Sequence, residues 1–218
     1  MKNAIEYAKV LMNKGIDDRY TNTKDGNLVI NKMLYFAQLI SLAKYEKQLY
    51  DNNIYAFENG SVVEDVRQKY KSNYNDLKTE SNLLDLNKFT VEEKDVIEET
   101  INLFSDFSAE ELSEITHGHT TWIEKFEGSK LGNFYMQDKQ LMDVESLIKN
   151  EVPWIKQFLN DQEEVDENYP YIINNNILFY YNPSSYKEEE VIELTNKFKG
   201  EENIYTIVKE DDGKAVIY

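Results

Sequence analysis

The chain has 218 residues, 41% hydrophobic and 13% aromatic, which suits one folded domain, or a domain with an appendage, and does not suit a disordered chain. Its 24 basic residues are outnumbered by 41 acidic ones, for a formal net charge of −17. A surface of that sign repels phosphate backbones, and no basic run interrupts it, so direct nucleic-acid binding is not expected.

No apolar run approaches the ~20 residues of a membrane span. The absence of cysteine excludes disulfides and zinc–thiolate sites and fits a cytoplasmic protein. In chain order, residues 3–14 place Ile5, Ala8, Leu11 and Met12 on one helical face, with Gly15 as a C-terminal stop. A polar connector follows, with a turn expected at Asp25-Gly26. From Leu28 to Lys47 the apolar positions Ile30, Met33, Leu34, Phe36, Ala37 and Ile40 form a stripe wide enough to predict a helix buried on more than one side.

"NNIYAFENGSVV" then alternates as a hairpin with its turn at Asn59-Gly60, and helical spacing returns through Val62, Val66 and Tyr70. Residues 71–88 are polar and read as loop, with a short strand or a helical turn at Leu83–Leu86. Thr90 with Glu93, and Ser108 with Glu111, each match a capping box and open two helices, the second ending near Gly118. "LMDVESLIKNEVPWIKQFLN" is helical with a restart at Pro153. Residues 160–168 read as an acidic linker. The last 50 residues read as strand, helix and a hairpin turning at Asp212-Gly213, a β-α-β-β unit. The fold class expected is mainly α, with a helical domain over 1–159 and a small α+β unit over 169–218.

Catalytic signatures are missing. No P-loop, G-x-G-x-x-G, EF-hand loop or G-x-S-x-G elbow occurs. His117 and His119 stand among Glu110, Glu111, Glu114 and Glu124. They lack the i, i+4 spacing of a helical zinc pair, and in so acidic a chain nearby carboxylates are expected by chance. Thr116 and His117 read instead as a packed helix end that bonds free carbonyls and neighbouring backbone, and His119 as exposed. No catalytic residue, metal ligand or cofactor is assigned, and the chain does not read as an enzyme.

Candidate contact residues lie elsewhere. The turn "FENGSVVEDV" offers Phe57, Glu58, Gly60, Glu64 and Asp65, with Gly60 permitting a backbone shape that other residues resist. The aromatic residues Tyr169, Tyr171, Phe179, Tyr180, Tyr181 and Tyr186 offer a second surface, from which Tyr180 and Tyr186 are singled out.

Three blocks, taken in order, resemble the Panacea domain. They are "KMLYFAQLISLA" (Lys32–Ala43, with Tyr35 and Gln38), "IYAFENGSVVEDVRQKY" (Ile54–Tyr70), and Leu112, Ser113, Thr116, His117 and Trp122 on an L-S-x-x-T-H pattern with a following tryptophan. Ser61 and Thr121 depart from it, standing where the family pattern has proline. The resemblance implies a mostly helical fold and an antitoxin or phage accessory protein that neutralises a protein toxin by direct binding. The acidity adds that the toxin is basic. The alternative is an acidic phage inhibitor that mimics nucleic acid and blocks a host nuclease or CRISPR effector, which requires carboxylates in a line at roughly phosphate spacing.

Overall fold

Every residue from Val29 to Ala43 is buried, so the sequence stripe that looked two-sided is in fact covered all round. The computed structural model describes residues 2–18, 20, 23–164, 170–174, 177–196, 198, 204–209 and 214–217, which group into two compact units, 1–158 and 159–218. The first unit begins with α1 (Ala4–Asn13), α2 (Thr23–Tyr45), the strands β1 (Ile54–Phe57) and β2 (Gly60–Val63), α3 (Glu64–Ser72) and α4 (Tyr74–Asn82). It continues with α5 (Val91–Phe104), α6 (Ala109–His117) and α7 (Thr120–Gly128). Helices α1, α3, α5 and α6 and strand β2 all pack on α2, as an apolar helix with no polar face demands.

The buried polar residues of α2 are each tied to main chain beyond the helix. Gln38 accepts from the Leu49 amide at 2.9 Å and donates to the Tyr50 carbonyl at 3.2 Å, while Ser41 donates to the Lys47 carbonyl at 2.7 Å. Burying such groups would be costly without these bonds; with them, α2 fixes the path of the chain that leaves it. Phe36 stacks on Phe104 of α5 at 4.0 Å between ring centres.

Two stretches differ from expectation. Asp25-Gly26 is helical, because α2 already begins at Thr23. Gly26 answers to close packing, since a Cβ there would lie 2.5 Å from the Tyr70 hydroxyl. The stretch 71–88, expected as loop, contains α4 and a 3-10 turn, Leu86–Lys88. Only Leu77 and Ser81 of α4 are buried, a face too narrow to give a periodic signal. Contacts with the region around α1, such as Asn13 Nδ2 donating to the Ser81 carbonyl and Lys78 to buried Asp17, accompany the helix. Both capping boxes form, Thr90 with Glu93 and Ser108 with Glu111.

After α7 come the strand pair β3 (Lys130–Leu131) and β4 (Phe134–Tyr135), then β5 (Leu141–Met142), α8 (Val144–Asn150) and α9 (Val152–Glu164). Strand β5 joins the hairpin sheet in the order β2-β1-β5. The break between the last two helices falls at Glu151, and Pro153 sits in the first turn of α9, where a missing amide costs least. Helix α9 runs on through residues 160–164, where the acidic linker was expected to begin; 165–168 lie outside the described residues.

The second unit is a four-stranded sheet, β6 (Tyr171–Asn174), β7 (Ile177–Tyr181), β8 (Ile204–Lys209) and β9 (Ala215–Ile217), in the order β6-β7-β8-β9. Helix α10 (Glu188–Thr195) makes the crossover between parallel β7 and β8. "YIINNNILFYYN", read as one strand, is two antiparallel strands with Tyr171 opposite Tyr180, so the order is β-β-α-β-β. The expected turn at Asp212-Gly213, like Tyr169, lies outside the described residues.

Candidate functional site

The β1–β2 hairpin closes with Glu58 and Asn59 between the paired residues Phe57 and Gly60. Gly60 carries the positive φ, +91°, that closes this tight loop. No other residue fits there, since a Cβ would come within 2.1 Å of Thr116 Oγ1 and 2.8 Å of Lys32 Nζ.

Around this loop the three sequence blocks converge, and they hold it by its main chain. Trp122 Nε1 donates to the Phe57 carbonyl at 3.0 Å and His117 Nε2 to the Glu58 carbonyl at 3.0 Å, while the Ser113 hydroxyl shares its one proton between the Asn59 carbonyl at 3.1 Å and the Ala109 carbonyl of its own helix at 2.9 Å. From α2, Lys32 Nζ donates to the Ser61 carbonyl at 3.0 Å, and Asn31 Oδ1 accepts from the Val63 amide at 2.9 Å. His117 therefore carries its ring proton on Nε2 and bonds the hairpin, not a carbonyl of its own helix. Thr116 does bond its own helix, through the Ser113 carbonyl at 2.9 Å. His117 also lies over the Trp122 ring, 4.3 Å between centres.

A second polar layer lies beneath. Lys32 is fully buried, among the described residues no carboxylate forms an ion pair with it, and burial pushes its pKa down to about 7. His119, expected to be exposed, is buried instead: Nδ1 shares a 2.7 Å hydrogen bond with the Tyr35 hydroxyl, and Trp154 packs edge-on to the ring. Its pKa is held down to about 4 by burial. Glu151 Oε2 lies 3.8 Å from His119 Nδ1, while Oε1 accepts from the Thr121 amide at 2.7 Å. A proline at 121 could not donate that bond. Tyr35 is buried, and its hydroxyl is pushed well above its ordinary pKa by burial and by the Glu151 charge. Among the described residues no group of three or more His, Asp and Glu is placed to hold a metal ion.

Of the candidate contact residues, Phe57 is half-buried and Glu58 exposed at the tip. Glu64 is less free than its sequence suggests. It takes two bonds from Arg67, at 2.6 and 2.8 Å, and one from Gln68 at 2.7 Å. Burial alone would raise its pKa, but these bonds outweigh burial and lower it. Asp65 is exposed and bonded by Asn52 Nδ2 at 2.6 Å. Tyr180 and Tyr186 belong to the second unit. Tyr180 is half-buried against Tyr171, but Tyr186 is a core residue with Ile172, Phe179 and Val191, its hydroxyl bonding the Val208 carbonyl at 3.4 Å. Tyr186 thus lies in the core of the second unit, with little of its side chain open to a partner.

Sequence reasoning missed Asn31 and Lys32 as supports of the loop. The available signal was a charged residue inside an apolar helical stripe. It also missed a groove of about 530 Å³ beside the tip, where Phe57, Glu58 and Asn59 meet Lys24, Arg67 and Lys71.

A family model described as antitoxin SocA-like, Panacea domain, matches residues 30–123. No curated protein and no solved structure matches the chain significantly. The matched stretch contains every side chain that holds the loop: Asn31, Lys32, Ser113, His117 and Trp122. Residues 30–123 of this chain are thus similar to the antitoxin SocA-like Panacea domain, over a little under half of the chain.

Proposed function

We propose that the protein is an antitoxin, or a phage accessory protein of the same action, which neutralises a protein toxin by direct binding, without catalysis, through the hairpin tip and the adjoining start of α3. The observation that carries this reading is the use of the family's side chains. They hold the main chain of Phe57, Glu58, Asn59 and Ser61, so the side chains of Phe57, Glu58 and Asn59 are presented from a fixed loop. A contact surface ordered before binding loses less entropy on association. The −17 charge favours a basic toxin and fast, salt-sensitive encounter.

Nucleic-acid mimicry is less well supported, because it needs rows of free carboxylates. Lys44 pairs with both Asp95 and Glu99, and Lys47 pairs with Glu92. The test is co-expression with the product of an adjacent gene that alone arrests growth. The intact chain should restore growth, and Phe57→Ser/Glu58→Lys should fail to do so while folding normally. Full protection by that variant would overturn the contact assignment.

A further inference from the structure

The groove beside the tip inverts the charge of the molecule. Among its lining residues Lys24, Arg67 and Lys71 face one carboxylate, Glu58. Even with Glu64 counted through its bonds to Arg67, cations exceed anions there by three to two, in a chain of net charge −17.

Both lysines are exposed, and among the described residues neither has a hydrogen bond or ion pair, although the Lys71 charge helps to keep Glu64 ionised. Arg67 is aimed, with its guanidinium held by Glu64 and lying 5.6 Å from the centre of the Phe57 ring. The floor is self-satisfied, since Asn27 donates to the Arg67 carbonyl and Asn31 to the Asn27 carbonyl, leaving no buried donor in need of a ligand. What the groove presents is an aromatic edge with cations on its walls, at a volume within the roughly 300–1,000 Å³ usual for ligand sites.

We infer that this groove receives a carboxylate-bearing, extended segment of the protein partner. The partner would therefore carry an acidic stretch within a surface that is otherwise basic. The inference rests on the proposed function, whose tip forms one wall of the groove. Lys24 and Lys71 supply charge for carboxylates, and the Phe57 ring supplies apolar contact for a side chain between them. Carboxylates elsewhere on the chain would repel such a segment, so its binding must be local and sensitive to salt.

The test uses the full chain, ¹⁵N-labelled, titrated with a synthetic peptide of alternating glutamate and leucine, and in parallel with its lysine–leucine counterpart and a single-stranded oligonucleotide. The expected result is saturable perturbation of Lys24, Asn27, Asn59 and Arg67 by the acidic peptide. It should weaken with salt and fall about tenfold in affinity in Lys24→Glu/Lys71→Glu. Preference for the lysine peptide or the oligonucleotide, no saturable acidic-peptide binding, or an unchanged affinity in the double variant would each overturn it. Growth protection separates this inference from the reading it rests on. Protection lost in the tip variant but retained in Lys24→Glu/Lys71→Glu would overturn the groove assignment alone, whereas protection retained in both would overturn the tip as well.

Discussion

The hydroxyl of Thr116 stands where a side chain at position 60 would begin, 2.1 Å from the place of a Cβ on Gly60. The turn and the end of α6 are therefore fitted to each other. Gly60→Ala combines a left-handed backbone with overpacking and should cost about 3 kcal/mol. Adding Thr116→Ala should recover part of that loss. A double-mutant cycle by chemical denaturation reads the coupling, and strictly additive effects would show that the two residues are not opposed.

Trp122 combines packing with a single donor. Trp122→Phe keeps much of the stack on Phe126 but removes the donor to the Phe57 carbonyl, at a cost of roughly 1–3 kcal/mol. Trp122→Ala should cost more, about 3–5 kcal/mol. Amide exchange at residues 57–61 should accelerate in the phenylalanine variant beyond the global change. Equal acceleration throughout the unit would mean that the bond does not hold the loop.

Stability should rise with pH across the neutral-to-alkaline range. Lys32 has a folded pKa of about 7 against an ordinary value of 10.5. Between those values the unfolded chain binds the extra proton, so folding is favoured as pH rises and disfavoured as it falls toward 7. Burial also keeps Tyr35 and Tyr50 above their ordinary value of 10.0, so stability should decline again beyond about pH 10. Lys32→Met should flatten the rise between pH 7 and 10 in a series of urea midpoints. A parallel slope in wild type and variant would exclude Lys32 as its source.

Acid has a separate sensor. His119 stays neutral down to about pH 4, against an ordinary 6.5, so its contribution is complete above 6.5 and is lost as pH falls from there toward 4. His119→Gln should lower stability at pH 7 and weaken the dependence in that window. If thermal unfolding of the two proteins falls equally between pH 6.5 and 4, other groups control it.

Tyr186 and Tyr180 should separate cleanly. Tyr186→Ala should destabilise the second unit by about 3–5 kcal/mol, whereas Tyr180→Ala, on a half-buried strand position, should cost less. Proteolytic susceptibility of residues 159–218 distinguishes them, and equal resistance would place Tyr186 outside the core.

Legibility in the sequence followed how much of each element's stabilisation is local. The capping boxes at Thr90 and Ser108 declare themselves within four residues, as does the hairpin, although its turn residues are Glu58 and Asn59 and Gly60 already pairs in β2. Helix α4 does not, because Leu77 and Ser81 gain their burial from packing against the rest of the unit. The two strands in "YIINNNILFYYN" were legible in principle, since asparagine is depleted in strands and enriched in turns, and the run of three marked a break in the apolar pattern. For the site, the three blocks were visible but their geometry was not. Nothing in the sequence shows that Lys32 and Trp122 bond carbonyls four residues apart on the same hairpin, those of Ser61 and Phe57, or that Glu64 is occupied by Arg67.

The way the loop is held also bears on descent. Trp122, His117 and Ser113 grip carbonyl groups, which any amino acid supplies, so inherited substitutions at positions 58 and 59 would pass without penalty to folding. Lineages could retain the same supports while exchanging the residues displayed, and related chains could diverge quickly in the side chains that the loop presents. Conversely, a mutation in a support would disturb the loop whatever its sequence, so these two sets of positions should accumulate changes at very different rates.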